Sequence, residues 1–153
     1  MRHELTWIEP GTAPGDAGVP RVVVGVDASD ASRNALRWAG RYAALTGATV
    51  RVVHAWNVVD EQVWLQPLPP PAEQQAVARE QMEKMIEEDV ETGVPVEAAV
   101  VEGHATKVLI DAARPGDLLV VGSHGRGGFD GLTIGSVSAQ SAAHARCSVV
   151  IVR

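Results

Sequence analysis

The sequence predicts an α/β fold in which helices cover both faces of an open, parallel sheet. Three observations carry this. Apolar runs of strand length, such as Val22-Val23-Val24 and Leu118-Leu119-Val120-Val121, are continuous rather than alternating, as in strands buried on both faces. Segments with helical periodicity separate these runs. Six glycines fall within the fourteen residues Gly122–Gly135, directly after one of the strands.

The elements follow in order. Residues 1–20 hold Gly11, Pro14, Gly15, Gly18 and Pro20 among small and polar residues, and read as a flexible leader with little to bury against the entropy of ordering. The domain proper is expected over 21–153. The rhythm changes at Arg21, and Val22–Val26 is the first strand. Asp27-Ala28-Ser29-Asp30 supplies turn and N-cap chemistry, and Asp27 by itself is a candidate cap. Ala31, Ala35, Trp38, Ala39, Tyr42 and Ala43 then recur at helical spacing until Gly47 closes the helix. Thr49–Trp56 is the second strand, and Asn57–Pro71 a long connection ending in three prolines, which belong in neither a central strand nor a helix interior. Ala72–Glu91 reads as a charged helix with an apolar stripe of Val77, Met82, Met85, Ile86 and Val90, capped by Gly93. Pro95–Val101 is the third strand, Thr106–Ala113 a shorter helix, Asp117–Gly122 the fourth strand, Thr133–Ala145 a helix of small residues, and Ser148–Val152 the fifth strand. No internal repeat is evident.

Length and composition bound the function. At 153 residues, 46% apolar and 21% charged, the chain suits one soluble domain. A net charge of -6 argues against nucleic acid or an anionic membrane as the main partner. The single cysteine, Cys147, rules out an internal disulfide and reads as a small core residue in a reducing compartment. With no signal peptide and no spanning apolar run, a cytoplasmic location is expected. His3, His54, His104 and His144 are scattered without metal-ligand spacing, so the only metal expected is Mg²⁺ carried by a nucleotide.

A strand, a glycine-rich turn and a helix start form an anion cradle. Glycine admits close approach of backbone N–H groups, and the helix N-terminus adds partial positive charge. In open parallel sheets ligands bind outside the carboxyl ends of strands, where the strand order reverses. Two strand ends are equipped for this, Gly25-Val26-Asp27 and the segment from Gly122 to Gly128. If these strands are neighbours, Asp27 faces the glycine loop across one crevice. A carboxylate repels phosphates, so Asp27 suits a sugar hydroxyl or base amine, while Gly122, Gly125 and the Gly135-Ser136 helix start suit phosphates. Arg126 and His124 are candidate side-chain contacts. A P-loop is disfavoured, because Gly122 and Gly127 are followed by Gly128-Phe129 with no lysine, and the dinucleotide glycine pattern is absent after Gly25.

Gly122-Ser123-His124-Gly125, nine residues, then Gly135-Ser136 resembles the universal stress protein family, whose ATP-binding members carry that glycine spacing. Val23-Val24-Gly25-Val26-Asp27 is similar to the family's opening strand, Val52-Val53-His54-Ala55 to the second strand, whose backbone meets adenine, and Cys147–Val152 to the last. One departure is Ser148, where the family often has proline. The resemblance covers about residues 20–153. It implies a Rossmann-like fold of the adenine nucleotide alpha hydrolase-like type, five parallel strands ordered 3-2-1-4-5, and homodimerisation through the fifth strand. It also implies ATP or a related adenine nucleotide as ligand and a part in stress response or signalling through unknown protein partners. The positions carried over are Gly25, Asp27, Val53, Gly122, Gly125, Gly135 and Ser136, with Val26, Ser123, His124, Arg126, Gly127, Gly128 and Val137 as weaker candidates.

The leading expectation is therefore a nucleotide-binding regulator with no catalytic residue. A slow ATPase is the second, with only Asp27, His124 and Asp130 near enough to act on a water. The motif is also compatible with a cyclic AMP-binding member, and the fold with an interaction module whose site is vestigial.

Overall fold

The computed structural model describes residues 3–10, 18–57, 69–125 and 134–153. The elements are β1 (Leu5–Trp7), β2 (Arg21–Gly25), α1 (Asp30–Thr46), β3 (Thr49–Trp56), α2 (Pro71–Asp89), β4 (Val96–Glu102), α3 (Ala105–Ala112), β5 (Leu118–Gly122), α4 (Ser136–His144) and β6 (Ser148–Val152). They form one sheet ordered β1-β4-β3-β2-β5-β6 with every pair parallel.

The five expected strands keep the relative order 3-2-1-4-5, but the sheet has six strands. The added one corrects the reading of residues 1–20 as a loose leader. Leu5–Trp7 pairs with Val96–Ala98 along the edge of β4, and the Ile8 N–H donates to the Ala98 carbonyl at 2.9 Å. Trp7 offsets the ordering cost: its ring packs on the core, its indole N–H donates to Glu83 at 3.0 Å, and the Arg79 guanidinium stacks over it at 4.8 Å. Of the leader, residues 1, 2 and 11–17 lie outside the described part.

The two faces of the sheet are distinct cores. On one, Val22, Val24, Val50, Val52, Val96 and Ala98 pack under Leu36 of α1 and Met82, Met85 and Ile86 of α2. On the other, Val23, Val53, Leu119 and Val121 pack under Val108 and Leu109 of α3. Each fully buried Val or Leu contributes about 1.5–3 kcal/mol relative to exposure, which explains why the strands are near-continuous apolar runs.

Local signals act close to where the sequence puts them. The N-cap of α1 is Ser29 rather than Asp27: its Oγ accepts the Ser32 N–H at 3.2 Å. Gly47 closes α1 at φ 73°. Pro71 is the first residue of α2, where its missing N–H costs nothing. Two expectations are corrected. Val77 is 49% exposed, because α2 buries only the stripe that reaches the sheet. Gly93 does not cap α2; the helix ends at Val90, whose N–H donates to Ile86, and Gly93 at φ 91° turns the chain beyond it.

Candidate functional site

β2 runs to β3 on one side and β5 returns to its other side, so the strand order reverses between β2 and β5, with Val24 opposite Val120. Their carboxyl ends open into a cavity of about 370 Å³, within the range of small-molecule sites. It is lined by the ends of β2, β3 and β5, the start of α1, one flank of α3 and the first turn of α4.

At the β2 end, Asp27 is built into the turn. Its Oδ1 accepts from the Ser29 N–H at 3.0 Å and the Ser29 Oγ–H at 2.5 Å, while the Ser32 Oγ receives the Asp27 N–H at 3.3 Å. The carboxylate therefore organises the residue that caps α1. Ala28 between them is left-handed at φ 63°, a conformation that costs a residue with a Cβ about 1–2 kcal/mol. The second oxygen, Oδ2, lies against the glycine loop: a Cβ on Gly125 would stand 2.7 Å from it.

The loop is held from behind. The Ser123 N–H donates to Val152 of β6 at 2.8 Å, the Ser123 carbonyl accepts the Gly135 N–H at 2.6 Å, and the Ser138 Oγ–H donates to Gly122. These bonds tie the end of β5 to the start of α4. Gly135 is the N-cap of α4 and offers no side chain to its first N–H groups, so the donors of Ser136, Val137 and Ser138 crown the cavity. Gly122 and Gly135 are needed for close approach: a Cβ on the first would meet the Ala31 backbone at 2.7 Å, and on the second His124 Cα at 3.1 Å. Gly25 carries the side chain of Leu109 at 2.7 Å from where its Cβ would be.

Of the candidates read from sequence, the structure brings Gly25, Val26, Asp27, Val53, Gly122, His124, Gly125, Gly135, Ser136 and Val137 into this one cavity. Ser123 does not line it. Ser123 is buried beneath, with its Oγ 3.0 Å from His124 Nδ1. Arg126, Gly127, Gly128 and Asp130 lie outside the described residues, as does Thr133. Sequence reasoning missed Ser32, Ala55, Ala105, Leu109, Val121 and Ser138, which also line the walls. Ser32 and Ser138, each in the first turn of a helix, carried a readable signal; Leu109 and Ala105 carried none, since only the crossing of α3 over β2 brings them in. No group of three His, Cys, Asp or Glu side chains among the described residues is placed to hold a metal.

The fold and site together define a doubly wound α/β protein whose switch-point cleft offers backbone donors on one wall and apolar surface on the other. The chain belongs to the universal stress protein family, whose profile matches residues 18–153. It is similar to universal stress protein Rv2623 of Mycobacterium tuberculosis, 36% identical over 139 residues, which cover 86% of this chain and 46% of that protein. The chain thus spans about half the length of the curated relatives it matches. Among solved structures it resembles a universal stress protein in complex with cAMP, 27% identical, TM-score 0.63, covering 90% of this chain and 99% of that one. It shares its fold with UspA from Lactobacillus plantarum (20% identical, TM-score 0.70, 90% and 100% covered) and with a family member from Arabidopsis thaliana with AMP bound (23% identical, TM-score 0.58, 87% and 90% covered). No helix among the described residues is long and apolar enough to cross a membrane.

Proposed function

We propose that this chain binds an adenine nucleotide, ATP in the first place, in the cleft between β2 and β5, and that occupancy serves regulation in a stress response rather than turnover. The observation that carries the reading is the convergence on one cavity of Asp27, the Gly122–Gly125 loop and the uncapped first turn of α4. Phosphates on the N–H groups of Gly125, Ser136 and Val137 would gain charge-assisted bonds of about 1.5–3 kcal/mol each. Several of these, with base burial against Val53, Ala55 and Leu109, offset an association cost of at least about 4 kcal/mol and reach micromolar affinity, near -8 kcal/mol. Mg²⁺ would arrive with the nucleotide, and Asp27 is the one carboxylate among the described lining residues.

The reading as a binder is supported by the structural use of the two titratable groups of the described lining: His124 Nδ1 lies 3.0 Å from the Ser123 Oγ, and Asp27 Oδ1 accepts from Ser29, so one atom of each holds the site's own loop or turn. Cyclic AMP is the second ligand reading, favoured by the relative solved with it. A homodimer through β6 is proposed on the five-residue edge strand, whose outer side has no neighbour among the described residues and whose Val149–Val152 are half-exposed.

Denaturing freshly purified protein and identifying released nucleotide by mass, followed by calorimetric titration with ATP and cyclic AMP, tests the proposal. Protein that carries no adenine nucleotide and binds neither compound below millimolar concentration would overturn it. ADP or AMP accumulating over hours would replace the regulatory reading with a slow ATPase.

A further inference from the structure

A second cavity, of about 330 Å³, opens on the face of the sheet that carries α3. Its size is within the range of small-molecule sites, and Val53 is the one described lining residue it shares with the β2–β5 cavity. α3 packs on β2 and β3, so the same face of β4 stays open beyond it, and Val101 there is half-exposed. Ile8, Glu9 and Pro10, directly after β1, wall the far side. The family profile begins at residue 18, so this wall belongs to a segment that family membership does not account for. The floor is apolar, made of Val53, Ala99, Val101 and Val108.

The two ends of this cavity differ in charge. At one, Arg51 is only 5% exposed. Its Nε donates to Glu97 Oε2 at 2.8 Å, and Nη2 lies 2.7 Å from the same oxygen without the angle of a hydrogen bond. Glu97 thus neutralises the guanidinium but leaves part of its five-donor fork unfilled, and a buried donor without a partner is costly. Arg114 lines the same cavity, two residues beyond Ala112, whose carbonyl is held by Arg21 at the start of β2. Toward the other end stand Glu9, Glu102 and His104. Arg51 faces Glu97 in the ladder, and Glu102 is five residues further along, about 16 Å at 3.3 Å per residue. Lys107 and Asp111, also on the lining, are paired with each other. We propose that the cavity is a second ligand site, for a small amphiphilic monocarboxylate. The carboxylate fills the Arg51 fork, with Arg114 supplying the second cation that two carboxylates require. The hydrocarbon body lies on the apolar floor, and the acidic end rejects a second negative charge. The inference stands apart from the nucleotide reading.

Titration of the full chain with octanoate, followed by calorimetry and amide NMR, tests this. Binding should saturate below millimolar concentration, with shifts centred on the amides of Ala99, Val101 and Val108. Octanol, octylamine and the dicarboxylate suberate should each bind at least tenfold more weakly, because none presents a single negative charge on an apolar body. Val101→Trp fills the floor from a half-exposed position and should abolish octanoate binding in a folded protein. Arg51→Lys keeps a cation for Glu97 but loses the fork, and should weaken binding at least tenfold. Saturating ATP should leave octanoate affinity unchanged. A response that never saturates, octanol bound as tightly as octanoate, or unchanged binding in folded Val101→Trp would overturn the proposal. So would competition by ATP with shifts around Gly125 and Ser136, which would put octanoate in the β2–β5 cleft.

Discussion

Gly125 and Asp27 are in contact: with a Cβ at position 125, that carbon would stand 2.7 Å from the Asp27 Oδ2. The carboxylate at the tip of β2 and the glycine loop after β5 are thus two sides of one seam. Gly125→Ala must displace the Asp27 Oδ2, and a titration should show nucleotide affinity falling at least tenfold. Gly122→Ala is a different substitution, because its Cβ meets the Ala31 backbone, which has no soft rotation available. It should cost about 1–3 kcal/mol of unfolding free energy in urea, well above the cost at Gly125. Equal stability losses for the two variants would contradict this division.

Asp27→Asn keeps the shape of the turn and removes the charge. With Oδ1 receiving two donors from Ser29, a neutral amide weakens both the turn and any bond to a ligand hydroxyl. Loss of one charge-assisted hydrogen bond, about 1.5–3 kcal/mol, corresponds to a tenfold to hundredfold rise in Kd. Calorimetry on the folded variant checks it. A rise in affinity instead would mean that the carboxylate faces phosphates and repels them.

Far from the site, Arg21 is buried at the start of β2, bonded to Asp117 and, at 3.3 Å, to the carbonyl of Ala112. The side chains of Arg21 and Asp117 are 6% and 12% exposed. Asp117→Ala leaves an uncompensated buried cation and should destabilise by about 3–5 kcal/mol in chemical denaturation. A loss below about 1 kcal/mol, the range of solvated pairs, would indicate that water reaches the guanidinium.

Trp7→Ala removes the ring that holds β1 to the sheet. Half-buried, it should cost roughly 2 kcal/mol, less than a full core truncation. The local readout is sharper: the Val96 N–H, which donates to Glu4 at 3.1 Å, should lose exchange protection, while β2 and β5 keep theirs. Uniform loss across the sheet would show that β1 is part of the global folding unit.

Cys147 is half-buried against the α3 and α4 face of the sheet, and burial pushes its thiol pKa up from the ordinary value. The thiolate is the reactive form, so a raised pKa means less of it at neutral pH. An aromatic disulfide reagent should modify native protein more slowly than urea-unfolded protein near neutral pH, the gap narrowing as pH rises. Faster reaction in the native state would identify an activated thiol instead.

Most of the elements, and ten of the candidate site residues, could be read from the chain. Apolar runs, Ser29, Gly47 and the spacing from Gly122 to Gly135 act over a few residues, through periodicity, capping and turn geometry, and those interactions are encoded where they occur. The rest is long-range. That Ser29 caps α1 while Asp27 braces it depends on which of two neighbouring acceptors meets the helix. That Leu5–Trp7 joins the sheet depends on an open edge at β4 and on Glu83 and Arg79, more than seventy residues away. Leu109 reaches the cavity only because α3 crosses above Gly25. The sequence alone determined five of the six strands, the helices and the anion-binding loop. The tertiary structure decided what faces that loop, because the walls of a cavity are set by which strands become neighbours and no local pattern records that choice.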